Sequence, residues 1–214
     1  MPAGSIKVVL FDLGNVLVDF DFGPAARRLS GFCGQSSSGI LKAFFDSRTT
    51  GSFEKGSLSA EEFYRLMKDE MRFNLGYESF VSIWNEVFFF TPANRQVYHI
   101  ASSLKEKYRI ALLSNTNLLH YRYLKENFPV FDIFERQFLS FEIGSSKPEK
   151  EIYQAVIENM GVPAEDIFYT DDRDDLVRAG ASCGFKSFIF KGPKKLVEDL
   201  TGQGVLLAPG REPG

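Results

Sequence analysis

Residues 6–19 read IKVVLFDLGNVLVD, and this stretch decides the fold. It starts with a mostly apolar run rich in β-branched side chains, a pattern typical of a short strand buried in a sheet. Asp12 ends the run, and Gly14 and Asn15 follow it, two residue types suited to unusual backbone angles. The stretch therefore predicts a buried strand that delivers a carboxylate to a tight polar turn.

The chain after Thr91-Pro92 alternates between strand and helix patterns. Short apolar runs predict further strands at residues 109–113, 137–140, 167–169 and 186–190. Helical patterns surround them at residues 94–107, 120–127, 148–160, 174–183 and 193–200. Repeated alternation of this kind predicts an α/β fold, in which a doubly wound parallel sheet carries helices on both faces.

The stretch from Pro24 to about Thr91 lacks a strong strand pattern. Ser59 and Glu62 form a capping-box sequence that predicts a helix through Glu70, and residues 77–90 have an apolar helical face. We therefore predict an all-helical insertion, or cap, in a Rossmann-like core. The predicted division is a cap at 16–92, a core at 1–15 and 93–208, and a tail at 209–214.

Composition and charge are those of an ordinary globular protein. The chain has 214 residues, of which 44% are apolar and 25% charged, and its net charge is -3. We therefore expect neither a nucleic acid nor a membrane as partner, and no apolar run approaches a membrane span. Residues 1–7 lack the features of a signal peptide, and Cys33 and Cys183 are expected to be reduced, so we expect a cytoplasmic protein. The sequence leaves the oligomeric state unknown.

Polar side chains follow the predicted strands at the points where the strands end. In open parallel sheets, ligands bind beyond the carboxyl ends of the strands, so these side chains are expected to meet at one edge. In chain order they are Asp12, Ser114 to Asn117, Ser145 to Lys147, and Asp171 with Asp172. The edge thus collects carboxylates, hydroxyl and amide groups, and a lysine.

These residue types suit the transfer of a phosphoryl group. A carboxylate can attack phosphorus to form an aspartyl phosphate, which splits a difficult hydrolysis into two steps. Because the phosphate dianion repels the carboxylate, a divalent cation is needed to screen the charge, and Mg2+ prefers oxygen ligands. Lys147 and Ser114, with nearby backbone amides, suit the phosphate oxygens.

Four short motifs, in this order, resemble those of the haloacid dehalogenase superfamily. They are FDLGNVLVD at 11–19, LLSNTN at 112–117, SSKPE at 145–149 and FYTDDRDD at 168–175. The resemblance covers nearly the whole chain and is closest to bacterial phosphatases of α-D-glucose 1-phosphate and to the phosphatase domain of mammalian epoxide hydrolases. It implies a Mg2+-dependent phosphatase of a small phosphorylated metabolite, with a sugar phosphate as the expected kind of substrate.

Carried over to this sequence, the resemblance assigns the nucleophile and the metal ligands. Asp12 matches the nucleophile, which is also a metal ligand, and the backbone carbonyl of Gly14 matches a further ligand. Asp172 matches the metal-binding aspartate of the fourth motif. Asp171 beside it is expected either to bind the metal as well or to pair with the family's lysine. The implied cofactor is Mg2+.

The resemblance also assigns residues that bind the phosphate group. Ser114 and Asn115 match the phosphate-binding second motif, and Lys147 matches the lysine that steadies both the phosphate and the nucleophile. The particular phosphate ester is not identified, because residues of the cap decide it and the cap carries no recognisable motif.

The first motif departs from the family pattern at one position. The usual motif has a second Asp two positions after the nucleophile, followed by Gly, whereas this chain has Gly14 and then Asn15. That Asp protonates the leaving group and later activates water. Asp19 and Asp21 are alternative sources of the proton. Without any donor, a leaving group of low basicity is favoured, such as the anomeric oxygen of a sugar 1-phosphate.

Two other functions fit parts of the same pattern. The missing acid at Gly14 is compatible with a non-catalytic protein that binds a phosphorylated ligand. A haloacid dehalogenase also uses an aspartate nucleophile without the second Asp, but that branch needs no metal and lacks the paired aspartates found at Asp171 and Asp172.

Several aromatic residues outside the motifs are interpreted as structural. His99 and His120 lie in predicted helical stretches. Trp84 and the run Phe88 to Phe90 are expected mainly to pack the cap, with the lining of the substrate pocket as the alternative for some of them.

Overall fold

The computed structural model describes residues 5–207, apart from the side chains of residues 45 and 46. Its strands, numbered along the chain, are β1 Val8–Phe11, β2 Asp19–Phe20, β3 Phe88–Phe89, β4 Arg109–Ser114, β5 Arg136–Leu139, β6 Ile167–Asp171 and β7 Lys186–Ile189. Five of them form a sheet in the order β5-β4-β1-β6-β7, in which all neighbouring strands are parallel. The predicted α/β class and parallel sheet are confirmed. The predicted tail, residues 209–214, lies outside the described residues.

The central strand β1 is buried because its side chains alternate between two apolar clusters. Val9 and Phe11 belong to the cluster beneath α6 Pro92–Leu104, α7 Leu118–Asn127 and α11 Pro193–Gly202. Val8 and Leu10 belong to the cluster on the other face, beneath α9 Lys150–Met160 and α10 Asp174–Ser182. The short helix α8 Ser140–Ile143 follows β5, and a 3-10 turn at Ala164–Asp166 precedes β6.

The chain between β2 and β3 folds into five helices, which together form the helical layer. These helices are α1 Gly23–Ser30, α2 Ser37–Asp46, α3 Arg48–Glu54, α4 Ala60–Met71 and α5 Tyr77–Asn85. They share an apolar cluster of their own, which includes the fully buried rings of Phe63, Phe80 and Trp84. The predicted capping box is confirmed, since Ser59 and Glu62 each accept a hydrogen bond from the other's backbone N–H.

The predicted helix at residues 77–90 is wrong over its last part. The helix α5 ends at Asn85, and β3 pairs antiparallel with β2 beyond it. The rings of Phe20 and Phe88 pack edge to face, with 6.4 Å between their centroids. An aromatic run fits a strand pair as well as a helix face, so its local pattern does not separate the two. The segment is therefore not all-helical.

Two further boundaries differ from the prediction near the third motif. The predicted helix at 148–160 begins at Lys150, because Glu149 has extended backbone with ψ of 138°. The predicted strand at 137–140 ends at Leu139, because Ser140 begins α8.

Two further features concern the cysteines and the lengths of the helices. Cys33 and Cys183 are both free thiols, in agreement with the prediction. Across residues 5–207, no helix combines the length and the apolar character needed to cross a lipid bilayer.

Candidate active site

Asp12 lies directly beyond β1, at the middle of the sheet. Its backbone N–H donates a hydrogen bond to the carbonyl of Thr170 on the neighbouring strand β6 over 3.0 Å, and the residue is 6% exposed. Ser114 ends β4 on one side, and Asp171 ends β6 on the other. Polar residues from three adjacent strands therefore meet at the carboxyl edge, where open parallel sheets bind ligands.

Lys147 reaches the same edge from the loop after α8. Its Nζ donates hydrogen bonds to Oδ1 of Asp12 and to Oδ2 of Asp171, each over 2.6 Å, and to the carbonyl of Leu113 over 3.1 Å. The lysine is 4% exposed. Burial alone would lower the pKa of Lys147, but Asp12 and Asp171 raise it above its usual value. The ammonium group is therefore charged while it is buried.

Three carboxylates lie close together at this edge, and two of them, Asp12 and Asp171, contact the ammonium group. Oxygens of Asp12, Asp171 and Asp172 lie within 4.8 Å of one another. Burial raises the pKa of Asp12 to about 7. Lys147 lowers this pKa, and the charges of Asp171 and Asp172 offset part of that lowering. Burial also raises the pKa of Asp172, although Asn15 donates a hydrogen bond to its Oδ2 over 2.9 Å. The surplus of negative charge on hard oxygen donors fits a divalent cation such as Mg2+.

Both carboxylate oxygens of Asp171 accept hydrogen bonds from protein groups, whereas Asp172 accepts one from the side chain of Asn15. Oδ2 of Asp171 accepts hydrogen bonds from Lys147 and from the hydroxyl of Tyr169, the latter over 2.5 Å, and Oδ1 accepts from the backbone N–H of Arg173 over 2.9 Å. Tyr169 was missed by the sequence analysis, because a tyrosine inside an apolar strand gives no signal of a polar contact beyond it.

Asn115 holds the loop of the lysine in place. Its Nδ2 donates to the carbonyl of Lys147 over 2.9 Å, and its Oδ1 accepts from the N–H of Lys147 over 2.8 Å. Both ends of the amide are therefore engaged by the backbone of the third motif. Ser114 is 3% exposed and faces the same cavity.

A cavity of about 300 Å³ lies between this edge and the helical layer. All the predicted site residues line it, namely Asp12, Gly14, Ser114, Asn115, Lys147, Asp171 and Asp172. Aromatic side chains line its other side, namely Phe20, Phe22, Phe44, Trp84 and Phe88. Ser47, Thr50 and Glu54 add polar groups from the helical layer. The cavity thus joins a charged end to a largely apolar one.

The space beside Gly14, where the family's second Asp would extend, is occupied by an aromatic ring. A Cβ atom added to Gly14 would come within 2.8 Å of Cε1 of Phe20, so an aromatic ring fills the space beside this position. Asp19 accepts a hydrogen bond from Asn94 over 2.9 Å, and Asp21 accepts one from the N–H of Gly23 over 2.7 Å. Neither Asp19 nor Asp21 lines the cavity.

A comparison with protein families identifies the chain. The model of the haloacid dehalogenase-like hydrolases matches residues 6–184. The chain belongs to this family. The hydrolase is 26% identical to D-ribitol-5-phosphate phosphatase from Bacteroides thetaiotaomicron over 189 residues, which cover 86% of this chain and 91% of that protein. It is also 26% identical to phosphatase MT3486 from Mycobacterium tuberculosis, with 95% and 97% of the two chains covered.

Solved structures show the same fold. The HAD family enzyme bt-2542 from Bacteroides thetaiotaomicron, in complex with magnesium and inorganic phosphate, superposes on the hydrolase with a TM-score of 0.77. The two are 29% identical, and the match covers 87% of this chain and 95% of that one. The predicted superfamily, the hydrolase class and the Rossmann-like core are therefore confirmed.

His120 of the hydrolase lines the cavity, yet its ring is tied into the packing. Its Nε2 lies 3.1 Å from the carbonyl of Trp84, and its Nδ1 lies 3.1 Å from Nδ2 of Asn117. The carbonyl only accepts, so Nε2 carries the proton. Burial lowers the pKa of His120 to about 3, so the ring is neutral. These contacts agree with the structural role predicted for His120, whereas His99 is exposed.

Glu54 is the cavity residue that sequence reasoning missed most completely. It ends α3 and reaches the cavity from the helical layer, opposite the sheet edge. Burial raises its pKa to about 6, and the charge of Arg173 partly offsets this rise. No motif surrounds it in the sequence, so only the packing of α3 over the edge reveals it.

Proposed function

We propose that this hydrolase is a Mg2+-dependent phosphatase that hydrolyses a small phosphorylated metabolite, a sugar or sugar-alcohol phosphate. The observation that carries the proposal is the buried contact of Lys147 with both Asp12 and Asp171, each at 2.6 Å, beside the carboxylate of Asp172. The relatives named as phosphatases and the structural neighbour with bound magnesium and phosphate support it.

We assign the metal to Asp12, the backbone carbonyl of Gly14 and Asp172. Asp171 is assigned to Lys147, because both of its oxygens already accept hydrogen bonds from protein groups. When bound, Mg2+ screens the charge of the phosphate dianion against the carboxylates around it. Asn15 positions Asp172 through its hydrogen bond to Oδ2.

Asp12 acts as the nucleophile in this proposal. One oxygen of its carboxylate forms a bond to phosphorus while the bond from phosphorus to the leaving oxygen breaks, which gives an aspartyl phosphate. Water then attacks phosphorus, and the carboxylate of Asp12 is released with inorganic phosphate. Lys147 orients Asp12 and offsets the charge on the transferring group, and Asn115 fixes the backbone from which Lys147 extends.

The size and lining of the cavity support a small substrate. About 300 Å³ is at the lower end of the range for ligand pockets. Ser47, Thr50 and Glu54 supply hydrogen-bonding groups opposite the phosphate site, and aromatic rings supply flat apolar surfaces. We propose that residues 16–92 act as a cap that encloses this substrate over the predicted core, of which residues 5–15 and 93–207 are described.

The test is release of phosphate from a panel of sugar, sugar-alcohol, aryl and simple alkyl phosphates, with Mg2+ or with EDTA. We expect release that needs Mg2+ and that Asp12→Asn abolishes, while Asp132→Asn, at an exposed position, keeps it. Release that survives both EDTA and Asp12→Asn would refute the mechanism. Tight binding of these esters without any release would favour a phospholigand-binding protein instead, and release of halide from a 2-haloacid would favour a dehalogenase.

A further inference from the structure

Hydrolysis of an ester with a basic leaving oxygen needs a proton donor that the first motif does not supply. The leaving oxygen gains negative charge as its bond to phosphorus breaks, and a positioned acid stabilises it. Gly14 has no side chain, and the ring of Phe20 lies where one would extend. Asp19 and Asp21 are engaged elsewhere, by Asn94 and by the N–H of Gly23. The donor must therefore reach the cavity from another part of the fold.

Among the described side chains, four carboxyl groups line the cavity. Asp12, Asp171 and Asp172 come from the sheet edge and lie close to one another there. Glu54 alone comes from the helical layer. It therefore faces the phosphate site from the side on which the rest of the substrate must lie, and a donor to the leaving oxygen belongs on that side.

Two contacts hold the end of α3 on the sheet edge and so fix where Glu54 lies. Lys55 forms an ion pair with Glu149, which belongs to the same motif as Lys147. Gly56 has φ of 69°, and a Cβ atom there would lie 2.1 Å from the carbonyl oxygen of Phe141 in α8. The turn after Glu54 thus rests directly on the backbone of the core and allows no side chain at that point.

We propose that the carboxyl group of Glu54 is the general acid of this phosphatase, delivered by α3 in place of the carboxylate that Gly14 lacks. The inference rests on the proposed function. As Asp12 bonds to phosphorus, the proton of Glu54 moves to the leaving oxygen, and the alcohol departs. The Glu54 carboxylate then takes a proton from the water that attacks the aspartyl phosphate. Phosphate leaves, Asp12 is restored and Glu54 is again protonated.

The surroundings of Glu54 suit both steps. Burial disfavours the charged form, and Arg173 partly compensates, so that the pKa of Glu54 is about 6. A group with such a value exchanges protons readily near neutral pH. The ammonium group of Lys55, the next residue, is taken by Glu149, and the guanidinium of Arg173 is taken by Asp175 over 2.7 Å. Lys55 and Arg173 therefore direct their ion pairs to carboxylates other than that of Glu54.

The experiment compares leaving groups in the wild type and in Glu54→Gln. An ester of an acidic phenol, 2,4-dinitrophenyl phosphate, needs no protonation, whereas the best alkyl phosphate of the panel does. We expect kcat/KM of Glu54→Gln to fall by about 10²-fold or more for the alkyl ester and by less than about threefold for the dinitrophenyl ester. The exposed control Glu61→Gln should leave both values unchanged.

Other outcomes overturn the assignment. An equal loss for both esters means that Glu54 binds the substrate or holds α3, and no loss for the alkyl ester means that another group donates the proton. Glu54→Asp keeps a carboxyl group. Its kcat/KM should therefore depend on leaving-group basicity as weakly as that of the wild type, even if both values are lower. A steep dependence in Glu54→Asp counts against the proposal. A wild type that hydrolyses neither ester defeats the proposed function itself.

Discussion

The Nζ atom of Lys147 lies 2.6 Å from Oδ1 of Asp12, although 135 positions separate the two residues in the chain. The same atom bonds to Asp171 at the same distance. The lysine is thus the cation that lets two buried carboxylates lie side by side at the end of adjacent strands. Its removal would leave both without their counter-charge, which costs far more than a surface charge does.

For this reason we expect Lys147→Ala to impair both activity and stability. The loss of a transition-state cation should lower kcat by about 10²-fold or more, and the unpaired carboxylates should lower the free energy of unfolding by about 3 to 5 kcal/mol. Phosphate release and urea denaturation measure the two effects. Lys107→Ala removes an exposed lysine and should change neither. A change in kcat below about threefold would show that Lys147 does not contact the reacting group.

Burial raises the pKa values of Asp12 and Asp172, so it is energetically costly to keep both carboxylates charged in the folded protein. A bound Mg2+ offsets this cost, and we therefore expect it to stabilise the folded protein. At a concentration 100-fold above its dissociation constant, a ligand adds about 2.7 kcal/mol to the free energy of unfolding. We expect the melting temperature to rise with Mg2+ in the wild type and in Asp132→Asn. Asp172→Asn should lose most of the rise. An equal rise in all three proteins would place the cation elsewhere.

Gly14 and Phe20 should show an energetic coupling. The Cβ atom introduced by Gly14→Ala would lie 2.8 Å from the ring of Phe20, so the ring must shift, at a cost of about 1 to 3 kcal/mol. In a Phe20→Leu background the cost should largely disappear, and a double-mutant cycle of unfolding free energies measures the difference. Gly34→Ala adds a methyl group where no atom lies within 4 Å and should bring no penalty. Additive effects at Gly14 and Phe20 would contradict the contact.

The titration of Glu54 should make stability depend on pH. Its pKa is about 6 in the folded state against an ordinary 4.5, so the folded protein binds the proton more tightly than the unfolded chain does. The wild type therefore loses up to about 2 kcal/mol of unfolding free energy as the pH rises through this interval. Glu54→Gln lacks this loss.

We expect the stability of Glu54→Gln relative to the wild type to grow between pH 4.5 and about 6 and to level off above that range. Urea denaturation across this interval measures the difference. Glu61→Gln, at an exposed position, should follow the wild type in parallel. A difference that does not vary with pH would mean that Glu54 titrates as an ordinary surface glutamate.

A local sequence pattern predicts a helix or a strand well when it is compatible with only one of the two, and poorly when it is compatible with both. The capping box at Ser59 and the buried strand before Asp12 each fit one structure, and both are present. The aromatic run at residues 88–90 fits either a helix face or a strand. Pairing with Phe20, far away in the chain, decides between them, and no short window contains that information.

The roles of the site residues are likewise predictable from the sequence only in part. The residue types that follow each strand indicate the chemistry, because parallel strands bring their carboxyl ends to one edge. The use of Asn115 to hold the Lys147 loop, the bond from Tyr169 to Asp171, and the place of Glu54 depend on contacts between distant segments. Sequence spacing does not encode those contacts one by one.

The sequence by itself determined the parallel sheet, the family and the set of polar residues at the strand ends, because alternation of apolar residues and the order of motifs are properties of the chain. Only the tertiary structure decided which carboxylate pairs with Lys147, that the ring of Phe20 fills the space beside Gly14, and that α3 brings Glu54 over the site. These outcomes depend on distances of a few ångströms between separately folded segments. They are settled by packing and charge, and not by the local order of residues.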